Sequence, residues 1–168
     1  LYVHWPSGEY DPEPTLTAFD QLVDEGTVNR VGVSNFEPEH VDEAIDTLDA
    51  DLFANQFECH PLLPQDELRA HCDDAGVNVV AYSPLARGKV FDVPEIQRIA
   101  ERHDASEAAV SLAWLREKGV TAIPKATSED HIRDNWASLS VDLEDEDVAA
   151  IDAIDERERE VDPDFAPW

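Results

Sequence analysis

Lysine is scarce in this 168-residue chain: only Lys89, Lys118 and Lys125 occur, and all basic residues together number 12 against 39 acidic ones. The resulting formal net charge of −27 repels polyphosphates and excludes nucleic acid as a partner. Cysteine is confined to Cys59 and Cys72. Two cysteines outside any Cys-x-x-Cys pair make no disulfide framework, so reduced structural thiols and a cytoplasmic location are expected. No segment approaches the ~18 apolar residues of a membrane span, and nothing has the pattern of a secretory leader. A Gly-x-Gly-x-x-Gly turn after a strand is also missing, which argues against a Rossmann-type dinucleotide module.

What is present is acid and alternation. The carboxylates are spread along every expected helix instead of being gathered in one tail, so they read as a solvated shell. Such a shell repels itself unless counterions screen it, which at about 1 M salt happens within about 3 Å. The composition therefore points to a halophilic protein. A hydrophobic fraction of 42% is enough for a buried core.

Short apolar runs at Leu1–Trp5, Arg30–Ser34, Leu52–Glu58, Asn78–Tyr82 and Thr121–Pro124 read as strands. Helical periodicity separates them. Thr15–Glu25 places Leu16, Phe19, Leu22 and Val23 on one face; Val41, Ala44, Ile45 and Leu48 recur at helical spacing after Pro38. Gln65–Ala75, Val93–Arg102 and Ser106–Lys118 follow, then Ser128–Ser138 with Ser128 as N-cap and Asp145–Glu158 with an apolar stripe through Val148, Ile151 and Ile154. Val161–Trp168 is a proline-rich loop, and Trp114 and Trp136 fall on apolar helix faces and are expected in the core. Strand and helix in alternation imply a parallel sheet, because a short crossover must be helical. Leu1 lies inside an apolar run, so the chain is read as one α/β domain over residues 1–168 whose opening portion is missing.

Polar residues punctuate the strand ends: His4, Ser34 with Asn35, Asn55 with Gln56, Tyr82 with Ser83, and Lys125. In α/β proteins ligands bind at the carboxyl ends of strands. The stretches Tyr2-Val3-His4-Trp5-Pro6, Gly32-Val33-Ser34-Asn35-Phe36, Asn55-Gln56-Phe57-Glu58-Cys59-His60-Pro61, Ala81-Tyr82-Ser83-Pro84-Leu85 and Ile123-Pro124-Lys125 together resemble the aldo-keto reductase family, of a prokaryotic, haloarchaeal type. They resemble strands four to eight of its (β/α)8 TIM barrel, so the resemblance implies an incomplete barrel with the first three β/α units missing.

The resemblance implies a reduced nicotinamide cofactor and reduction of an aldehyde or ketone, such as a sugar-like or diketo-acid carbonyl, by hydride transfer. Ser34, Asn35 and Gln56 match the positions that hold the nicotinamide carboxamide, and Tyr82 matches the ring that stacks on it. Ser83 and Leu85 match the loop beneath the pyrophosphate. Lys125, Thr127, His131 and Asn135 match the adenosine end, with Ser128 at a helix N-terminus nearby. His4 matches the residue that polarises the substrate carbonyl, and Trp5 lines the substrate pocket with Phe165 and Trp168 as companions. Ala126 and His131 stand where NADPH-preferring members carry Ser and Arg; NADPH remains the first choice and NADH the alternative.

The family's catalytic tyrosine, lysine and aspartate have no match here, so the chain by itself is expected to be inactive and the full-length protein a monomeric enzyme. The alternative is a barrel portion retained for binding alone. Cys59 and His60 lack a second ligand pair at zinc spacing, so no metal is expected, and His40, His71 and His103 read as helix-surface residues.

Overall fold

The computed structural model describes all residues from Leu1 to Trp168. Five strands, β1 (Tyr2–Val3), β2 (Val31–Ser34), β3 (Leu52–Glu58), β4 (Asn78–Tyr82) and β5 (Thr121–Ala122), form one sheet in the order β1-β2-β3-β4-β5. Pairing of β1 with β2 and of β2 with β3 is parallel, with Ser34 in register with Gln56. Every residue of β2 is buried, which suits an apolar run covered on both faces. The strands alternate with helices α1 (Pro12–Asp24), α2 (Pro38–Thr47), α3 (Asp66–Asp74), α4 (Pro94–His103), α5 (Glu107–Glu117), α6 (Glu129–Ala137) and α7 (Asp145–Asp152). The fold is thus the expected α/β fold with a parallel sheet.

The chain divides into two compact units, residues 1–57, 65–80 and 162–168 in one and residues 58–64 and 81–161 in the other. In the first unit Leu16, Val33, Phe36, Val41 and Ala54 are sealed from solvent. Cys72 is buried there too, receiving Asn55 Nδ2 at 3.8 Å, and burial pushes its thiol up to about 11. Helix α2 opens with Pro38 in its first turn and a reciprocal cap in which Glu37 and His40 exchange side-chain and backbone hydrogen bonds. In the second unit α5 is buried from Ala108 through Leu115, as a helix apolar all round must be. Trp114 at its centre is fully buried and donates from Nε1 to Asp152 at 2.9 Å.

Several boundaries differ from the sequence expectation. Helix α1 begins at Pro12 instead of Thr15; the first N–H groups of a helix have no intrahelical partner, so Pro12 and Pro14 sacrifice nothing there. Strand β1 stops at Val3 because the His4 carbonyl accepts from the Asn35 side chain, at 3.0 Å. Residues 86–92, unassigned in the sequence, form a 3-10 segment interrupted by left-handed Arg87 and Gly88.

Helix α7 ends at Asp152, six residues short of the expected Glu158. Carboxylates at Asp155, Glu156 and Glu158 oppose the helix dipole at that end. The following backbone is instead drawn to Leu62, whose carbonyl accepts from Glu158 N at 2.9 Å. Trp136 is a plain correction: it is 73% exposed, not core.

Candidate functional site

The first unit assembles one group of expected site residues at the ends of β1 and β2. Asn35 sits just past β2 at φ +62°, a left-handed conformation that asparagine tolerates better than most residues. That turn directs Nδ2 to the His4 carbonyl at 3.0 Å and to Ser34 Oγ at 3.1 Å, while Ser34 Oγ donates to the Gln56 carbonyl at 2.7 Å. Asn35 N also donates to that carbonyl, at 2.9 Å. Ser34 and Asn35 therefore spend these donors on backbone that fixes His4 and Gln56. The half-buried Gln56 carboxamide forms no hydrogen bond within the chain, so its donor and acceptor pair is available to a ligand.

Two positions were misjudged from sequence. Asn55 and Gln56 lie inside β3, which continues to Glu58, and not at its carboxyl end. Asn55 is fully buried and donates to the Phe36 carbonyl at 2.9 Å.

Beyond this group the His4 side chain is exposed, with Trp5 beside it at 6.1 Å between ring centroids. Trp5 meets Phe165 edge-on at 5.3 Å and Trp168 at 5.6 Å, and Trp168 Nε1 is held by Asp162 at 3.0 Å. The C-terminal loop thus builds an aromatic wall on Trp5.

The second unit holds a groove of about 680 Å³ in which Ser83, Leu85, Lys125, His131 and Asn135 line one surface; Tyr82 and Thr127 are not part of the lining. Sequence reasoning missed Arg87, Ser106 and Asp134, which also line it. Ser106 caps α5 by accepting from Ala109 N at 3.0 Å and donates to Asp134 at 2.8 Å, joining two helices at the groove.

The loop after β4 is unusually strained: Ser83, Ala86 and Arg87 all have φ between 45° and 50°, and Gly88 has φ +101°. Each non-glycine residue in that region costs on the order of 1 kcal/mol, and such strain collects at ligand clamps. Lys89 tethers the loop to Glu160, at 2.7 Å, and to Glu158. The Glu160 and Val161 N–H groups in turn donate to the buried Glu58 carboxylate at 2.7 and 2.8 Å, and His60 bonds it at 2.9 Å.

Burial alone raises the Glu58 carboxyl, but the hydrogen bonds from His60 and the two N–H groups outweigh it and hold the group below its ordinary range. The half-buried Tyr82 phenol is pushed up to about 12, first by desolvation and then by the Glu58 charge. His60 is therefore the partner of Glu58; His71 pairs with Asp42 at 2.8 Å and His103 with Asp147 at 2.7 Å, so these helix histidines are half-buried and engaged.

Residues 1–156 match the Aldo/keto reductase family. The chain belongs to that family. A glyoxal reductase of Bacillus subtilis is 37% identical over 157 residues, covering 94% of this chain and 56% of its own length. The methylglyoxal reductase DkgB of Escherichia coli O157:H7 is 34% identical over 164 residues, covering 96% of this chain and 61% of its own. The aldose reductase of Giardia lamblia superposes with a TM-score of 0.88 at 27% identity, covering 94% of this chain and 62% of that structure. The chain therefore spans rather more than half the length of these relatives.

Proposed function

We propose that this chain is the cofactor-binding portion, strands four to eight, of an NADPH-dependent (β/α)8 aldo-keto reductase that reduces small aldehydes or ketones. The observation that carries the cofactor reading is the groove bounded by Ser83, Leu85, Lys125, His131 and Asn135: a cation, a strained polar loop and a capped helix suit a dinucleotide's phosphates. The donor set of the first unit suits the cofactor as well, because the Gln56 carboxamide complements an amide without having to break a bond inside the protein.

In this reading Gln56 holds the nicotinamide carboxamide with Ser34 and Asn35, and the Tyr82 ring supplies the stacking face. Ser83 and Leu85 flank the pyrophosphate; Lys125, Thr127, His131 and Asn135 serve the adenosine end. The bound nicotinamide supplies hydride. His4 donates an N–H to the substrate carbonyl, a bond that strengthens as negative charge grows on that oxygen, and Trp5 keeps water from the carbonyl. Proton donation falls to a tyrosine outside this chain, so the chain alone binds cofactor without turnover. Glyoxal and methylglyoxal reductases among the relatives point to small dicarbonyl compounds as the substrate class.

Titration with NADPH, followed by nicotinamide fluorescence, tests this. Saturable binding is expected, with Lys125→Ala and Gln56→Ala each weakening it about tenfold, equivalent to about 1.4 kcal/mol. No saturable change in the unaltered protein would remove the cofactor assignment. His131→Arg is expected to tighten NADPH several-fold with little effect on NADH, since a guanidinium adds a permanent forked donor for the extra phosphate.

A further inference from the structure

No residue after Ile154 is buried, and none belongs to a helix or strand. Residues 158–161 therefore owe their position to polar bonds more than to packing. Their anchor is Glu58, a carboxylate only 1% exposed: Oε1 accepts from Glu160 N at 2.7 Å and Oε2 from Val161 N at 2.8 Å, with His60 Nε2 at 2.9 Å. A charge so deeply buried is costly unless it is well bonded, and two of its bonds reach backbone 102 and 103 residues away.

The same segment grips the loop after β4. Glu160 pairs through Oε1 with Lys89 Nζ at 2.7 Å and faces Arg87 Nε with Oε2 at 3.9 Å, and Glu158 also pairs with Lys89. The Arg159 charge lies close enough to act on the Tyr82 phenol, as does that of Arg87. Arg87 and Gly88 line the groove, and with Ser83 and Ala86 they carry the positive φ values. Such a loop keeps its strained shape only where its surroundings over-determine it. Lys89 is 47% exposed, so its ion pairs are weak one by one; the buried, charge-assisted anchor behind them makes the tether firm.

We propose that Glu58 is a positioning residue: by fixing residues 158–161 it holds the 83–89 loop in its left-handed conformation, and so lengthens the stay of a dinucleotide in the groove. Glu58 is not part of the groove lining, so it acts on a ligand only through that segment and the loop. The identity of the ligand rests on the cofactor reading, whereas the tether itself is independent of it. A Glu58 that merely stabilised the fold would leave the loop no looser than the helices around it.

Two measurements test this: the rate at which excess NADP+ displaces NADPH in a stopped-flow fluorimeter, and amide hydrogen exchange in the 83–89 loop. Glu58→Gln keeps the shape of the side chain and loses the charge and one acceptor. It is expected to speed release about tenfold with little change in the association rate, and to accelerate exchange in the loop while α5 stays protected. Lys89→Met should speed release by a few-fold, and the double variant should release no faster than Glu58→Gln alone, because both changes break one tether. Lys89→Arg should keep release within about twofold of the unaltered chain, since the cation is retained. Unaltered loop exchange in a natively folded Glu58→Gln chain, effects that add in the double variant, or exchange that accelerates as much in α5 as in the loop would each overturn the proposal. Should Glu58→Gln fail to fold, Glu160→Gln and Lys89→Met decide: faster loop exchange in both supports the tether, and unchanged exchange in either overturns it. An unaltered chain that binds no NADPH removes the cofactor reading and the residence claim with it, while loop exchange still decides the tether.

Discussion

Asn35 combines a backbone demand with a side-chain one: φ is +62° and Nδ2 bridges the His4 carbonyl and Ser34 Oγ. Asn35→Gly keeps the conformation and loses only the bridge, whereas Asn35→Val loses both, so the valine variant should be the less stable by about 1–2 kcal/mol in urea unfolding. Asp147 is a second such residue. It is buried, it bonds His103 and Arg102, and its Oδ2 accepts from Glu144 N at 3.1 Å as part of the α7 cap. Burial raises its carboxyl, yet these partners overcome that and leave it below its ordinary 3.8, as Glu58 is held below 4.5. A carboxyl depressed in the folded state stabilises above its unfolded value and loses that contribution as pH falls through the folded one. The chain should therefore lose stability below about pH 4. Asp147→Asn should flatten that acid limb and cost about 2 kcal/mol at neutral pH, readable as a lower urea midpoint. The sequence marked Asn35 through its motif. It did not mark Asp147, because nothing local shows that α4 brings Arg102 and His103 to it.

At the level of elements, caps and close approaches set the order of sensitivity. Ser106 caps α5 and also donates to Asp134 of α6, whereas Ser128 only caps α6, through a longer bond of 3.3 Å to His131 N. Ser106→Ala should cost about 1–2 kcal/mol and Ser128→Ala less than about 1, with amide exchange accelerating along α5 in the first variant. In β2, a Cβ on Gly32 would lie 2.9 Å from the Ala54 carbonyl oxygen and 2.7 Å from the Tyr2 ring. The backbone oxygen cannot swing aside, so Gly32→Ala should cost about 1–3 kcal/mol, and Tyr2→Ala should not rescue it fully. Strand and helix existence was legible in the sequence from apolar periodicity, and Ser106 and Ser128 were legible as caps. The boundaries that moved were those where tertiary hydrogen bonds compete with the local pattern, at His4 and beyond Asp152.

For the whole molecule, a charge of −27 is the dominant global term. Raising KCl from 0.1 to 2 M shortens the screening length from about 10 Å to below about 3 Å, so the unfolding temperature should climb with salt. A flat or falling dependence would contradict the halophilic reading of the composition. Apolar period, proline and serine placement, acidity and the five motif stretches were all determined by the sequence, since each depends on neighbours a few residues away. Only the tertiary structure decided that Ser34 and Asn35 turn their donors on the chain while the Gln56 amide does not. It alone joined Glu58, His60 and the tail at Glu160 across about a hundred residues, and left Trp136 in water. Those outcomes depend on which distant groups arrive to satisfy or cover a side chain, and local sequence carries no record of that.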